Sequence, residues 1–129
     1  VTARERDVAL PGGAVLRRFA DLPEVAEPAN GLVLRGLVDA ADPAGDLSAT
    51  WVRLEGHHRR LRTDASARLY VVLRGGGTIG VGDADPVVLA DGDVVLLPPG
   101  TPYDLDGPLT YLVMNRPAYR DGDDVYLED

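Results

Sequence analysis

Two stretches decide how this chain folds: GHHRRLRTDASARLYVVLRGGG, residues 56–77, and GDVVLLPPGTPYDLDG, residues 92–107. The first opens dense in His and Arg, then becomes an apolar run, Leu69-Tyr70-Val71-Val72-Leu73, closed by three glycines. The second is an apolar run that stops at Pro98-Pro99-Gly100 and resumes after Pro102. Glycine allows turns of positive φ and proline fixes a rigid corner, so both stretches read as strand, turn and strand. Runs of the same kind flank them at 31–39, 49–56, 78–82, 86–90 and 109–115, with Gly, Asp and Pro clusters between. Short β-branched runs at this spacing predict antiparallel strands of a sandwich or barrel. Helix is scarce; the one candidate lies near 19–27, where Asp21 can cap a turn carrying Pro23.

The 129 residues suffice for one core, so a single domain is expected over 1–129. It divides into an irregular N-terminal section (1–30), a barrel core (about 31–115) and an acidic tail (116–129). The tail ends in an apolar pair suited to a closing strand or an edge contact, and equally reads as a frayed terminus. A net charge of -8 and a pI near 4.6 argue against a nucleic-acid partner, whose phosphates the overall field repels. Without cysteine there is no disulfide, thiolate metal site or cysteine nucleophile. No apolar run is long enough to span a bilayer and no signal-peptide pattern is present, so a cytoplasmic protein with no membrane partner is expected. All 13 basic residues are Arg, the usage of a GC-rich and bacterial genome.

The segment 56–107 resembles the two cupin motifs in spacing. In the first, G-x5-H-x-H-x3-E-x6-G, Gly56 and Gly75 stand at the two ends; in the second, G-x5-P-x-G-x2-H-x3-N, Gly92, Pro98 and Gly100 are in place. The resemblance implies an all-β, cupin-like antiparallel β-barrel of jelly-roll type with little helix. In most cupins the motif histidines and glutamate bind a divalent metal. The matching positions here are Arg62, Asp64, Arg68 and Tyr103; in the motif variant with one extra residue, the first two become Leu61 and Thr63. Neither register supplies a histidine, and a guanidinium cannot ligate a metal, so neither metal nor other cofactor is expected.

Strand alternation then places the charges. If Arg62 and Asp64 point into the barrel, so do His58 and Arg60, and after the turn Arg68 and Tyr70. Three arginines would face Asp64 alone at the barrel mouth. Unpaired charge is expensive there, so a small anionic or oxygen-rich ligand is expected, held bidentately by Arg. Arg60, Arg62, Asp64, Arg68 and Tyr70 are the candidate binding residues. Tyr103, whose ionisation a neighbouring arginine favours, and His58 are the candidate proton-transfer pair. The plainer alternative is a closed Arg–Asp network with Tyr103 as core and His58 as a satisfied polar residue.

Three functions remain open at this point, because cupins include enzymes of several classes and pure binding domains. One is a metal-independent isomerase or cyclase of bacterial secondary metabolism. Another is a non-catalytic ligand-binding or sensory module. The third is an oxygenase with an irregular His58, Asp64 and Tyr103 site. Outward-facing Trp51, Leu69, Val71 and Leu73 need cover, which the N-terminal section or a homodimer partner would supply.

Overall fold

A computed structural model describes residues 5–43 and 45–129; residues 1–4 of the N-terminal section and Ala44 lie outside the described residues. The strands are β1 (Val8–Ala9), β2 (Val15–Leu16), β3 (Val25–Glu27), β4 (Leu32–Val38), β5 (Ser48–Leu54), β6 (His57–Thr63) and β7 (Ala67–Arg74). They continue as β8 (Thr78–Val81), β9 (Val87–Val88), β10 (Val94–Leu97), β11 (Tyr103–Asp106), β12 (Leu109–Arg116) and β13 (Asp124–Tyr126). Every pairing is antiparallel. A six-stranded sheet, β10-β7-β12-β5-β4-β3, packs on a five-stranded sheet, β13-β6-β11-β8-β9. The two sheets form a cupin-like sandwich and are not joined edge to edge into a closed barrel. No described helix is long and apolar enough to cross a membrane.

The core lies between the sheets, with Val52, Leu54, Leu61, Tyr70, Val72, Ile79, Tyr103, Leu105 and Tyr111 all buried. In β7 the alternation holds throughout: Arg68, Tyr70 and Val72 are buried while Leu69, Val71 and Leu73 face outward. The following glycines let the chain turn against its neighbours. A Cβ on Gly77 would lie 2.0 Å from the Asp106 carbonyl oxygen, an approach only glycine permits.

The helical turn expected near 19–27 is instead a single 3-10 turn, Phe19–Asp21, followed by strand β3. Leu22 precedes Pro23 and is therefore extended (φ -80, ψ 133), which ends the helix before it can continue. This N-terminal section covers part of the outer face of the large sheet. Phe19 meets Trp51 edge-on at 5.1 Å, and the Arg35 guanidinium lies 4.5 Å from the Phe19 ring centre.

In β6 the alternation breaks. Leu61 pairs with Tyr103, but the next pair is His58 with Leu105, so three steps along β6 match two along β11. That extra residue is a β-bulge at Arg59-Arg60, and it reverses which side chains face inward. His58, Leu61 and Thr63 are buried, while Arg62 is only partly covered and Asp64 is exposed.

Candidate functional site

The bulge brings together, in one interior, the four positions that carry metal ligands in the resembling family. In the register with one extra residue these are Leu61, Thr63, Arg68 and Tyr103, and all are under 8% exposed. Arg68 organises them. Its Nη1 donates to the Tyr103 hydroxyl (2.7 Å), its Nε to Asn115 Oδ1 (3.0 Å) and its Nη2 to Asp124 Oδ1 (2.8 Å). The Thr63 hydroxyl donates to the same Asp124 oxygen at 2.6 Å, and the Tyr70 and Tyr103 hydroxyls share a hydrogen bond of 2.7 Å. The Tyr70 ring packs edge-on against Tyr103 and Tyr111.

The electrostatics follow from burial. Burial pulls the Arg68 pKa down, but the Tyr70 and Tyr103 hydroxyls and the Asp124 carboxylate more than offset it, and the guanidinium stays charged. Burial raises Tyr70, Tyr103 and Tyr111 above the ordinary tyrosine value. At Tyr103 the neighbouring Arg68 recovers only part of that rise, so it remains a phenol. His58 is lowered, first by burial, and is neutral near pH 7. Its Nδ1 lies 2.9 Å from the Arg59 carbonyl oxygen, which can only accept, so Nδ1 carries the proton. Nε2 is left with a lone pair and takes no hydrogen bond from a described residue. The His58 ring stacks on Tyr126 at 6.4 Å.

Of the expected site residues, Arg68, Tyr70 and Tyr103 do meet inside, and His58 is buried against Tyr126. Arg60, Arg62 and Asp64 do not, because the bulge turns them outward. Arg60 donates to the Gly82 carbonyl and lies 3.6 Å from Asp104. Arg62 and Asp64 pair with each other at 3.0 Å, with side chains 37% and 55% exposed. An irregular metal site of His58, Asp64 and Tyr103 therefore cannot assemble. The four motif positions also do not fit a divalent cation: Leu61 offers nothing, Thr63 a neutral hydroxyl, Arg68 a cation and Tyr103 a protonated phenol, while the neighbouring Asp124 carboxylate is taken by Arg68 and Thr63. Among the described residues, His57, Asp104 and Glu128 bring ligand-type atoms within 4.8 Å of one another, but on the outer face. There His57 already bridges Asp106 (2.8 Å) and Glu128 (2.7 Å).

Sequence reasoning missed Asp124, Tyr126 and Asn115, and named Thr63 only as a ligand position of the motif variant. The signal for the first two was their spacing by two in the tail, which puts both on one face of a strand.

A family model described as Cupin matches residues 33–125. This chain belongs to the cupin family. No curated protein sequence matches it. Among solved structures, this cupin is similar to a protein from Planctomyces limnophilus (18% identity, 92% of this chain and 98% of that one, TM-score 0.76). It is also similar to Streptomyces Pac13, described as a nucleoside dehydratase (18% identity, 83% of this chain and 85% of that one, TM-score 0.70). Uridine complexes of Pac13 include variants in which a histidine is replaced by glutamine or a tyrosine by phenylalanine. KdgF from Halomonas shares the fold as well (15% identity, 81% of this chain and 94% of that one, TM-score 0.68).

Proposed function

We propose that the interior of this cupin binds a small oxygen-rich organic molecule and moves a proton on it without a metal, as an isomerase, cyclase or dehydratase does. One observation carries this reading: His58 is buried, its proton is fixed on Nδ1, and Nε2 keeps its lone pair, with the buried phenols Tyr70 and Tyr103 in the same core. Leu105, opposite His58, lies two residues along β11 from Tyr103, so base and acid stand roughly 7 Å apart along the strand. His58 Nε2 would accept a proton from the substrate, and the Tyr103 hydroxyl would donate one to an oxygen that leaves or becomes an enol. Arg68, held by Asn115 and Asp124, would fix that oxygen through Tyr103. Pac13, with its uridine complexes, supports a nucleoside or another neutral polyhydroxyl compound as the first substrate class to try.

The test is a melting-temperature screen with nucleosides, sugars and small keto acids, uridine first. A ligand at 100 times its Kd stabilises by about 2.7 kcal/mol, which moves the melting temperature by roughly 10 °C for a domain of this size. His58→Gln should reduce that shift. Silence across the panel would end the reading, and binding without turnover would leave a binding module.

A homodimer is also proposed, through the outer face that the N-terminal section leaves bare. Val94 and Leu96 on β10 are 58% and 74% exposed, beside Leu73 at 45% on β7, and edge β10 has no further neighbour. A groove of about 510 Å³ lined by Leu47, Leu69, Leu96, Pro98 and Met114 continues that surface. Light scattering should give twice the 13.7 kDa chain mass; 13.7 kDa at high concentration would reject the dimer.

A further inference from the structure

The interior that holds His58, Arg68 and Tyr103 is nearly shut: the three are 8%, 7% and 1% exposed. Much of the cover comes from the C-terminal strand. β13 pairs only with β6, over three residues, at the outer edge of the smaller sheet. Asp124 and Tyr126 share one face of the strand: Asp124 is partly buried, while Tyr126 lies at the rim, 37% exposed, its hydroxyl accepting from Asn30 Nδ2 (3.1 Å) and its ring carrying the Arg59 guanidinium at 3.9 Å. Asp124 receives Arg68 and Thr63 on a single oxygen, and Tyr126 lies over His58. Beyond the strand, Glu128 is held by the Arg60 backbone N–H and by His57, and Leu127 N–H donates to the Arg60 carbonyl (2.8 Å). Gly122, at φ +91, gives the segment a turn just before the strand. One donor of the cluster remains unserved: Asn115 Nδ2 is buried with no partner among the described residues, although its Oδ1 accepts from Arg68.

We propose that β13 is a displaceable plug, and that Asp124 occupies the seat of a ligand carboxylate on Arg68. This rests on the interior being the binding site. The strands around the interior differ in how firmly they are held. β12 lies between β5 and β7 with seven paired residues on each side, while β13 has one neighbour and three pairs. It is therefore more easily opened than β12. Withdrawing it removes the carboxylate from a buried guanidinium, which stays charged and must be matched again. A ligand carboxylate does this, and its second oxygen can accept from Asn115 Nδ2, which Asp124 leaves without a partner. Tyr126 vacates a flat space over His58 at the same time, two residues or roughly 7 Å along the strand. The ligand class is thus a small organic acid with a planar ring a few bonds from its carboxylate.

The chain contains no cysteine, so an introduced pair can bridge only with itself. Arg62 and Val125 are directly opposed and face outward, and Arg62→Cys with Val125→Cys locks the plug when oxidised. The probes are 3-phenylpropanoate and its neutral amide, titrated calorimetrically into the full chain. The reduced pair should bind the acid and not the amide, and oxidation should weaken the acid by about tenfold or more. Asp124→Asn removes the competing charge and should bind the acid about tenfold more tightly than the parent. Glu128→Gln touches only the outer clasp and should shift affinity the same way by less, so the test survives if Asp124→Asn folds poorly. Equal binding by locked and reduced protein, or no gain in either single variant, overturns the plug. Should uridine bind equally to locked and reduced forms, the plug fails while the interior site stands. Failure of uridine and of the acid in every form removes both.

Discussion

Arg68→Met is expected to cost the ligand-free protein about 3–5 kcal/mol, measured as the loss in urea-unfolding free energy. Arg68 is the hub of the interior: it donates to Tyr103, Asn115 and Asp124, and its side chain is only 8% exposed. Removing it strands the Asp124 carboxylate, 16% exposed, with Thr63 as its remaining interior donor. Methionine fills most of the volume, so the loss reports the uncompensated charge and not a cavity. The double replacement Arg68→Met with Asp124→Leu should recover most of it, because a pair replaced by apolar groups of similar volume is often neutral. Arg62→Ala should change stability by less than about 1 kcal/mol, since its pair with Asp64 lies largely in solvent. An equal loss at Arg62 and Arg68 would contradict the bulged register.

His58→Gln is expected to lower any proton-transfer turnover by about 10²–10⁴, the usual weight of a positioned general base. The wild-type rate should also fall about tenfold per pH unit below the His58 pKa, because the protonated ring has no lone pair to offer. Burial holds that pKa below the ordinary 6.5, against the opposing influence of Glu27 and Asp124, so the base is free at neutral pH. For stability the sign is fixed by which state binds the proton first. The unfolded chain protonates His58 before the folded one does, so this contribution is lost as pH falls below about 6.5. His57 runs the other way. Its pKa is raised, first by the hydrogen bond to Glu128 and then by Asp106, with Asp104 and Arg60 nearby on the same face. Its contribution is whole below 6.5 and disappears as pH rises through the raised value, when a neutral ring can no longer donate to both carboxylates.

The framework of the fold was legible because glycine and proline have few uses. Gly56, Gly75, Gly92, Pro98 and Gly100 mark corners, and the runs between them alternate with period two. Where the alternation is unbroken, as in β7, it placed Arg68, Tyr70 and Val72 correctly. β6 was illegible past His58, because a bulge needs only one extra residue and leaves no compositional mark. His-His-Arg-Arg reads the same with or without it. The outcome for Arg60, Arg62 and Asp64 followed from that single step. The tail's apolar pair suggested a closing strand, which β13 is, but gave Asp124 and Tyr126 no role in the interior. The tail is acidic and glycine-containing, and its strand exists only because the edge of β6 accepts it. Local propensity carries no trace of such an edge. At Tyr103 the sequence showed the neighbouring arginine, which favours ionisation, but not the burial that outweighs it.

The central claim, a neutral imidazole base poised in the cupin interior, is tested most directly by nuclear magnetic resonance of the two imidazoles as pH is varied. With only His57 and His58 in the chain, long-range ¹H–¹⁵N spectra resolve each ring and report its tautomer. The account requires His58 to titrate below 6.5, with the proton on Nδ1 in the neutral form, and His57 to titrate above it. A His58 ring that titrates at or above 6.5, or carries its neutral proton on Nε2, would contradict the account.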